Sequence, residues 1–180
     1  MITPKTIKEL TEQHRRNNPV VIAVMGKTAQ VWSQFFIFEV PKDEIVDSLL
    51  EKHKGSHFNV RTLLDRAGKE LNGSWPEDYE TNWRKDLVGK TEDETTFTRE
   101  TMDVEAQGEV TKENVVKLVG RVSKEVRYVN TEIYNFCSDQ LLRPVFKIHP
   151  GVRSDGKPCD VSVWEGKNLV GIIAALTPVG

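Results

Sequence analysis

The sequence holds little of what usually announces a function. Two cysteines, Cys137 and Cys159, in 180 residues are too few for the disulfide framework of a small secreted domain, and they point to a reducing compartment, the cytoplasm. No run approaches the ~18 consecutive apolar residues of a membrane helix. The opening MITPKTIKELTEQHRR has neither the apolar core nor the small-residue cleavage site of a secretory signal. The chain is therefore expected to stay off the membrane. Charge of one sign is also scarce: 25 basic and 27 acidic residues leave a formal net charge of -2. Nonspecific nucleic-acid binding rests on clustered positive charge, so nucleic acid is not an expected partner.

Catalytic patterns are missing in the same way. There is no nucleophile elbow, no triad order and no reactive Cys-His arrangement. His53 and His57 are four apart, the spacing that puts two imidazoles on one helix face, but Gly55-Ser56 between them breaks a helix and no third ligand stands nearby. The sharpest local pattern is MGKT, Met25 to Thr28, directly after an apolar run. A phosphate-binding loop needs further glycines before the lysine and a helix after the hydroxyl. Here the first glycine position is Val21, and AQVWSQFFIF reads as a strand. A hairpin turn is the expectation, with a phosphate contact by Lys27 and Thr28 as the sharper alternative. No catalytic residue, metal ligand or cofactor is assigned.

What the chain does have is pattern. Val20–Met25 is an unbroken apolar run, and Val31–Val40 is rich in β-branched and aromatic residues, so the two predict a strand pair. Cap and stop residues predict helices at 3–16, 41–53, 59–71 and 75–87. Between Thr111 and Leu142, apolar residues fall at Val115, Val119, Val122, Val126, Val129, Ile133 and Phe136. Steps alternating between four and three predict one helix over 112–142, about 46 Å long at ~1.5 Å per residue. Its flanking positions Glu125, Glu132 and Asp139 offer no charge partner for a coiled coil, so it is expected to pack on its own domain. Strands are then expected at 145–149, 159–164 and 169–176.

The resulting expectation is an α+β single domain over 1–180. An antiparallel sheet of about five strands (20–25, 31–40, 145–149, 159–164, 169–176) packs with several helices, including the long one over 112–142. This order of elements is similar to the sensor folds of the PAS and profilin-like classes. That resemblance implies a pocket between the sheet and the long helix. Residues 91–110 form an exposed acidic excursion, with one edge strand expected around Thr96 to Val104; seven carboxylates face one arginine there and few large apolar groups are available to hold a core.

Functionally, the reading is a non-enzymatic protein that binds another protein or regulates it, as a monomer or homodimer, through an acidic surface and exposed helix faces. Glu92, Asp93, Glu94, Glu100, Asp103 and Glu105 are the candidate contact residues. A small-molecule sensor and an enzyme for phosphorylated substrates using the Gly26-Lys27-Thr28 turn are the alternatives.

Overall fold

In this computed structural model the described residues are 20–25, 27–32, 36–41, 44, 58–62, 87, 90–106, 108–152 and 156–179. The chain divides into two compact units, Met1–Val88 and Gly89–Gly180.

In the first unit, β1 (Val20–Met25) and β2 (Thr28–Trp32) are antiparallel, with Met25 opposite Thr28 and Lys27 in the turn. β3 (Phe36–Pro41) pairs antiparallel with β2, and β4 (Phe58–Thr62) joins β1 in parallel. Within the unit the order is β4-β1-β2-β3. β3 shows the two-residue period of a pleated strand: Phe36, Phe38 and Val40 are buried while Ile37 and Glu39 are half-buried. Phe36 and Phe38 share a face and stack with centroids 5.3 Å apart. On β2, Ala29, Gln30 and Val31 are all buried in succession, so both faces of that strand are covered.

The second unit is an antiparallel sheet in the order β10-β9-β8-β5-β6-β7. Its strands are β5 (Asp93–Ala106), β6 (Glu109–Gly120), β7 (Val126–Asn130), β8 (Pro144–Ile148), β9 (Val161–Glu165) and β10 (Asn168–Ile173). β5 and β6 form one long ribbon, in register from Thr95↔Gly120 to Ala106↔Glu109. Between β7 and β8 lies a ten-residue helix, α1 (Thr131–Gln140). Asn130 caps it by accepting from the Ile133 amide at 3.1 Å. The helix buries Ile133, Tyr134 and Cys137, its contacts running to β6 and β7. Val116, Leu118 and Val129 are fully buried on the sheet.

The β6–β7 turn is fixed from outside. Asp93, at the start of β5, accepts from the Val122 amide (3.1 Å), the Ser123 amide (2.8 Å) and the Ser123 hydroxyl (2.6 Å). The Ser123 hydroxyl, its amide and the Val122 amide hold the Asp93 carboxyl below its ordinary range, against the opposing effect of burial. Gly120 leaves the room this requires. A Cβ there would run into the Asp93 carboxylate and the Ser123 hydroxyl, and would come within 2.8 Å of Ile148 Cδ1. The C-terminal tail crosses the ribbon: the Leu176 amide donates to the Tyr128 carbonyl on β7, and the Val179 amide to the Asp103 carbonyl on β5.

The expected long helix over 112–142 is not there. Its first part is β6, its middle is the turn and β7, and only Thr131–Gln140 is helical. The α+β arrangement of five strands packed with several helices gives way to a mostly antiparallel sheet with one short helix among the complete described elements. The spacing misled because five of the supposed seam positions are valines whose branched Cβ suits a pleated strand better than a helix. Val122, one of them, stands 87% exposed in the turn. The burial that matters alternates instead, through Val116, Leu118 and Gly120.

Of the other expected helices, that beginning at Asn59 is replaced over its first residues by β4. Those at 3–16, 41–53 and 75–87 fall largely outside the described residues. The expected strand 31–40 is two strands, β2 and β3. Residues 91–110, expected as an exposed acidic excursion, supply β5 and the start of β6, longer than the edge strand expected around Thr96 to Val104.

Candidate functional site

β5 pairs with β8 only at Asp93↔Ile148 and Glu94↔Lys147. Beyond that point the two strands part. The Thr95 hydroxyl still reaches the Phe146 carbonyl at 2.9 Å, and then a groove of about 680 Å³ opens between them. Its walls are Thr95, Phe97 and Arg99 of β5, Pro144 to Phe146 of β8, and Tyr134 and Ser138 of α1. Tyr134 forms the floor, stacked on Phe146 at 4.4 Å and tilted against Phe97 at 5.3 Å. Burial raises the Tyr134 phenol above its ordinary range, partly offset by a hydrogen bond with Ser138.

Two arginines line the same groove. The Arg99 guanidinium donates to Asn135 Oδ1 at 2.9 Å and lies 5.9 Å from the centroids of both the Phe97 and Tyr134 rings. Arg121, exposed in the β6–β7 turn, is the second. Neither is paired with a carboxylate among the described residues. A smaller hollow of about 320 Å³ shares Arg99 and continues to Thr101, Asn114 and Thr131. The two hollows therefore follow one another along β5.

Backbone direction makes this edge chemically open. The Glu94 carbonyl accepts from Arg121 on the β6 side, whereas the Asp103 carbonyl accepts from Val179 in the tail on the other side. Because backbone groups alternate along a strand, Phe97, Arg99 and Thr101 turn their N–H and C=O groups to that outer side. Among the described residues no strand meets them there. Thr96 to Thr101 are exposed throughout.

The sequence-predicted contact residues separate into three kinds. Asp93 is buried and tied into the turn. Glu92 is exposed but bonded to Lys147 Nζ at 3.0 Å, and that ammonium lies 4.3 Å from the Trp164 ring centroid. Glu94, Glu100, Asp103 and Glu105 are exposed on the ribbon, with Glu100 3.8 Å from Lys117 Nζ. Lys27 is exposed in the β1–β2 turn and Thr28 opens a strand, not a helix, so the helix N-terminus that a phosphate loop supplies does not follow them. The pocket expected between the sheet and a long helix goes with that helix. His53, His57 and His14 lie outside the described residues.

Sequence reasoning missed two buried polar centres. Arg127 is 5% exposed. It donates through Nε to the Cys159 carbonyl (3.0 Å), through Nη1 to the Val126 carbonyl (3.0 Å), and through Nη2 to Glu125 (2.9 Å), the His149 carbonyl (3.1 Å) and the Gly151 carbonyl (3.0 Å). The Gly151 amide donates back to Glu125 at 3.1 Å. That amide and the Arg127 guanidinium hold the Glu125 carboxyl below its ordinary range.

His149 is the second centre, fully buried. Its Nδ1 lies 3.1 Å from the Thr91 carbonyl, which can only accept, so Nδ1 carries the proton. In the neutral ring Nε2 then accepts from the Ser162 hydroxyl at 2.9 Å. Ser162 in turn accepts from the Trp164 indole N–H at 2.9 Å. The contact resembles a base with its nucleophile, but Ser162 is also 0% exposed, and its hydroxyl oxygen lies 3.2 Å from the Lys147 carbonyl as well, so both groups are tied into a buried network. Burial is the main cause that lowers the His149 pKa. No sequence signal near His149-Pro150-Gly151 marks any of this.

Cys137 and Cys159 are both free and buried, and burial pushes the Cys137 thiol far above its ordinary range. Among the described residues, no three His, Cys, Asp or Glu side chains gather as a metal site, and no helix is long and apolar enough to cross a membrane. No family model, no curated protein and no solved structure matches this chain.

Proposed function

We propose that the protein is a non-enzymatic module that binds another protein through the β5–β6 ribbon. One observation carries this reading: the outer half of the ribbon is exposed and acidic. Asp103, Glu105 and Glu109 are exposed there with Val110, which is 57% exposed, and Lys112 is the basic residue among them. Such a surface gives specificity and association rate for a partner of opposite charge. The working compartment in this reading is the cytoplasm, which suits two free thiols.

The test is cross-linking of the full chain in extracts of its native host, with the cross-linked positions mapped. It is repeated with E100Q, D103N and E105Q combined. Cross-links from one protein concentrated on Glu100–Glu113, weakened by salt and lost in the triple variant, are the expected result. Cross-links spread over the surface, or unchanged in the triple variant, would count against the ribbon.

A further inference from the structure

The outer edge of β5 is interrupted, not free along its length. At one end Asp93 and Glu94 pair with β8; at the other Asp103 bonds Val179 and Val104 bridges Pro178. Between them, Phe97, Arg99 and Thr101 present backbone N–H and C=O groups to a groove, with no strand against them among the described residues. A gap of five residues along a strand is about 17 Å at ~3.4 Å per residue.

We propose that this gap is a docking site for a short extended peptide, about five residues long, that adds as a strand to β5 and carries acidic side chains alternating with apolar ones. The site lies beside the acidic ribbon but selects the opposite charge, so it goes beyond the function proposed above.

Three features fix the occupant's chemistry. Open backbone groups on one strand edge are satisfied by an extended chain, which supplies donors and acceptors at the same repeat. The Tyr134 ring, with Phe146 at 4.4 Å and Phe97 at 5.3 Å from it, offers with them an apolar floor to every second side chain. Phe97 remains 52% exposed. Arg99 and Arg121 carry guanidinium donors with no carboxylate partner among the described residues, against one lining carboxylate in each hollow, Glu94 in the larger and Glu100, which Lys117 approaches at 3.8 Å, in the smaller. Carboxylates of the incoming strand are the natural complement, since the planar guanidinium fork bonds them in pairs. A charged residue on an edge also serves to repel unwanted strands. Here the two arginines repel basic segments and leave acidic ones acceptable.

The experiment measures fluorescence anisotropy of the full chain with a labelled hexapeptide of alternating glutamate and valine that carries one phenylalanine. Three comparisons accompany it: the same peptide with lysine for glutamate, the same peptide with alternate backbone nitrogens methylated, and the protein variant R99Q/R121Q. The acidic peptide is expected to bind, with the lysine and N-methylated peptides each about tenfold weaker or worse and the double variant weakened similarly, a tenfold change being ~1.4 kcal/mol.

Equal binding of acidic and basic peptides overturns the charge argument, and indifference to N-methylation overturns strand addition. No binding of the acidic peptide up to millimolar concentration overturns the site. Self-association that the arginine substitutions abolish overturns the proposed occupant in favour of a second copy of this chain. Should the double variant unfold, the two peptide controls still decide. The E100Q/D103N/E105Q variant keeps both groove arginines, so acidic-peptide binding survives there even where the ribbon reading fails.

Discussion

Replacing Arg127 by methionine tests whether the second unit is held together by one side chain. The guanidinium bonds five acceptors contributed by Glu125 in the β6–β7 turn, by β7 and by the segments after β8. Methionine keeps much of the apolar stem but no donor. The carbonyls of Cys159 and His149 then lose buried hydrogen bonds, each worth ~1–3 kcal/mol when left unmade. The Gly151 carbonyl and Glu125 are nearer solvent and recover part of their loss from water. The expected destabilisation is about 3–5 kcal/mol, the range for breaking a buried charged network.

R127K sets the scale from the other side. An ammonium on a flexible stem reaches one or two of the acceptors but cannot span them as a fork, so about half the loss is expected. Urea unfolding followed by circular dichroism gives both values. At a slope of ~1–2 kcal/mol per molar for a unit of this size, R127M should lower the midpoint by about 2–3 M. Hydrogen exchange should show the Gly151 amide, which donates to Glu125, losing protection first. An R127M midpoint within experimental error of wild type, with R127K equal to it, would refute the account of Arg127 as the clamp of this unit.

Two further outcomes follow from the buried groups. His149 has its pKa lowered below the ordinary ~6.5, so as pH falls from about 6.5 the unfolded chain takes up a proton that the folded one does not. Stability should fall over that window by up to ~1.4 kcal/mol per pH unit. H149Q should flatten the pH dependence measured by urea midpoints between neutral and mildly acid pH, and an unchanged slope would remove His149 from it. The carboxylates, with Asp93 and Glu125 lowered from ordinary values, are protonated only at more acid pH and are expected to act there. At Gly120, alanine should destabilise by ~1–3 kcal/mol, as an overpacked core position does, because its Cβ meets the Asp93 carboxylate, Ser123 and Ile148. A wild-type melting temperature for G120A would show that the turn simply moves aside.

Sequence and tertiary structure divided the decisions unevenly. Local chemistry was enough for strands at Val20–Met25, Pro144–Ile148 and Val161–Glu165, because apolar and β-branched runs favour extended chain whatever their neighbours. It was enough, too, for the turn at Lys27. Thr111–Leu142 was decided from outside its own sequence. Its valines sit at a spacing compatible with a helix and with two strands, and the difference is made by Asp93, some 30 residues away, bonding Val122 and Ser123. A carboxylate in an acidic run looks the same in sequence whether it points to water, as Glu105 does, or is buried on a turn, as Asp93 is.

The candidate site depended on tertiary structure more heavily still. The acidity of residues 91–110 could be read from composition, though not the ribbon that β6 completes. The open edge beside it could not, because it exists only where β8 parts from β5 after two residue pairs and α1 sets Tyr134 beneath Phe97 and Arg99. Backbone pairing and side-chain contacts between segments distant in sequence leave no periodicity to find. Sequence alone settled the extended segments whose apolar runs are themselves local, such as Val20–Met25 and Val161–Glu165; only the fold decided that Glu109–Gly120 and Val126–Asn130 are strands, and which strand edge and which charges stay unmatched among the described residues, since these are relations between distant segments.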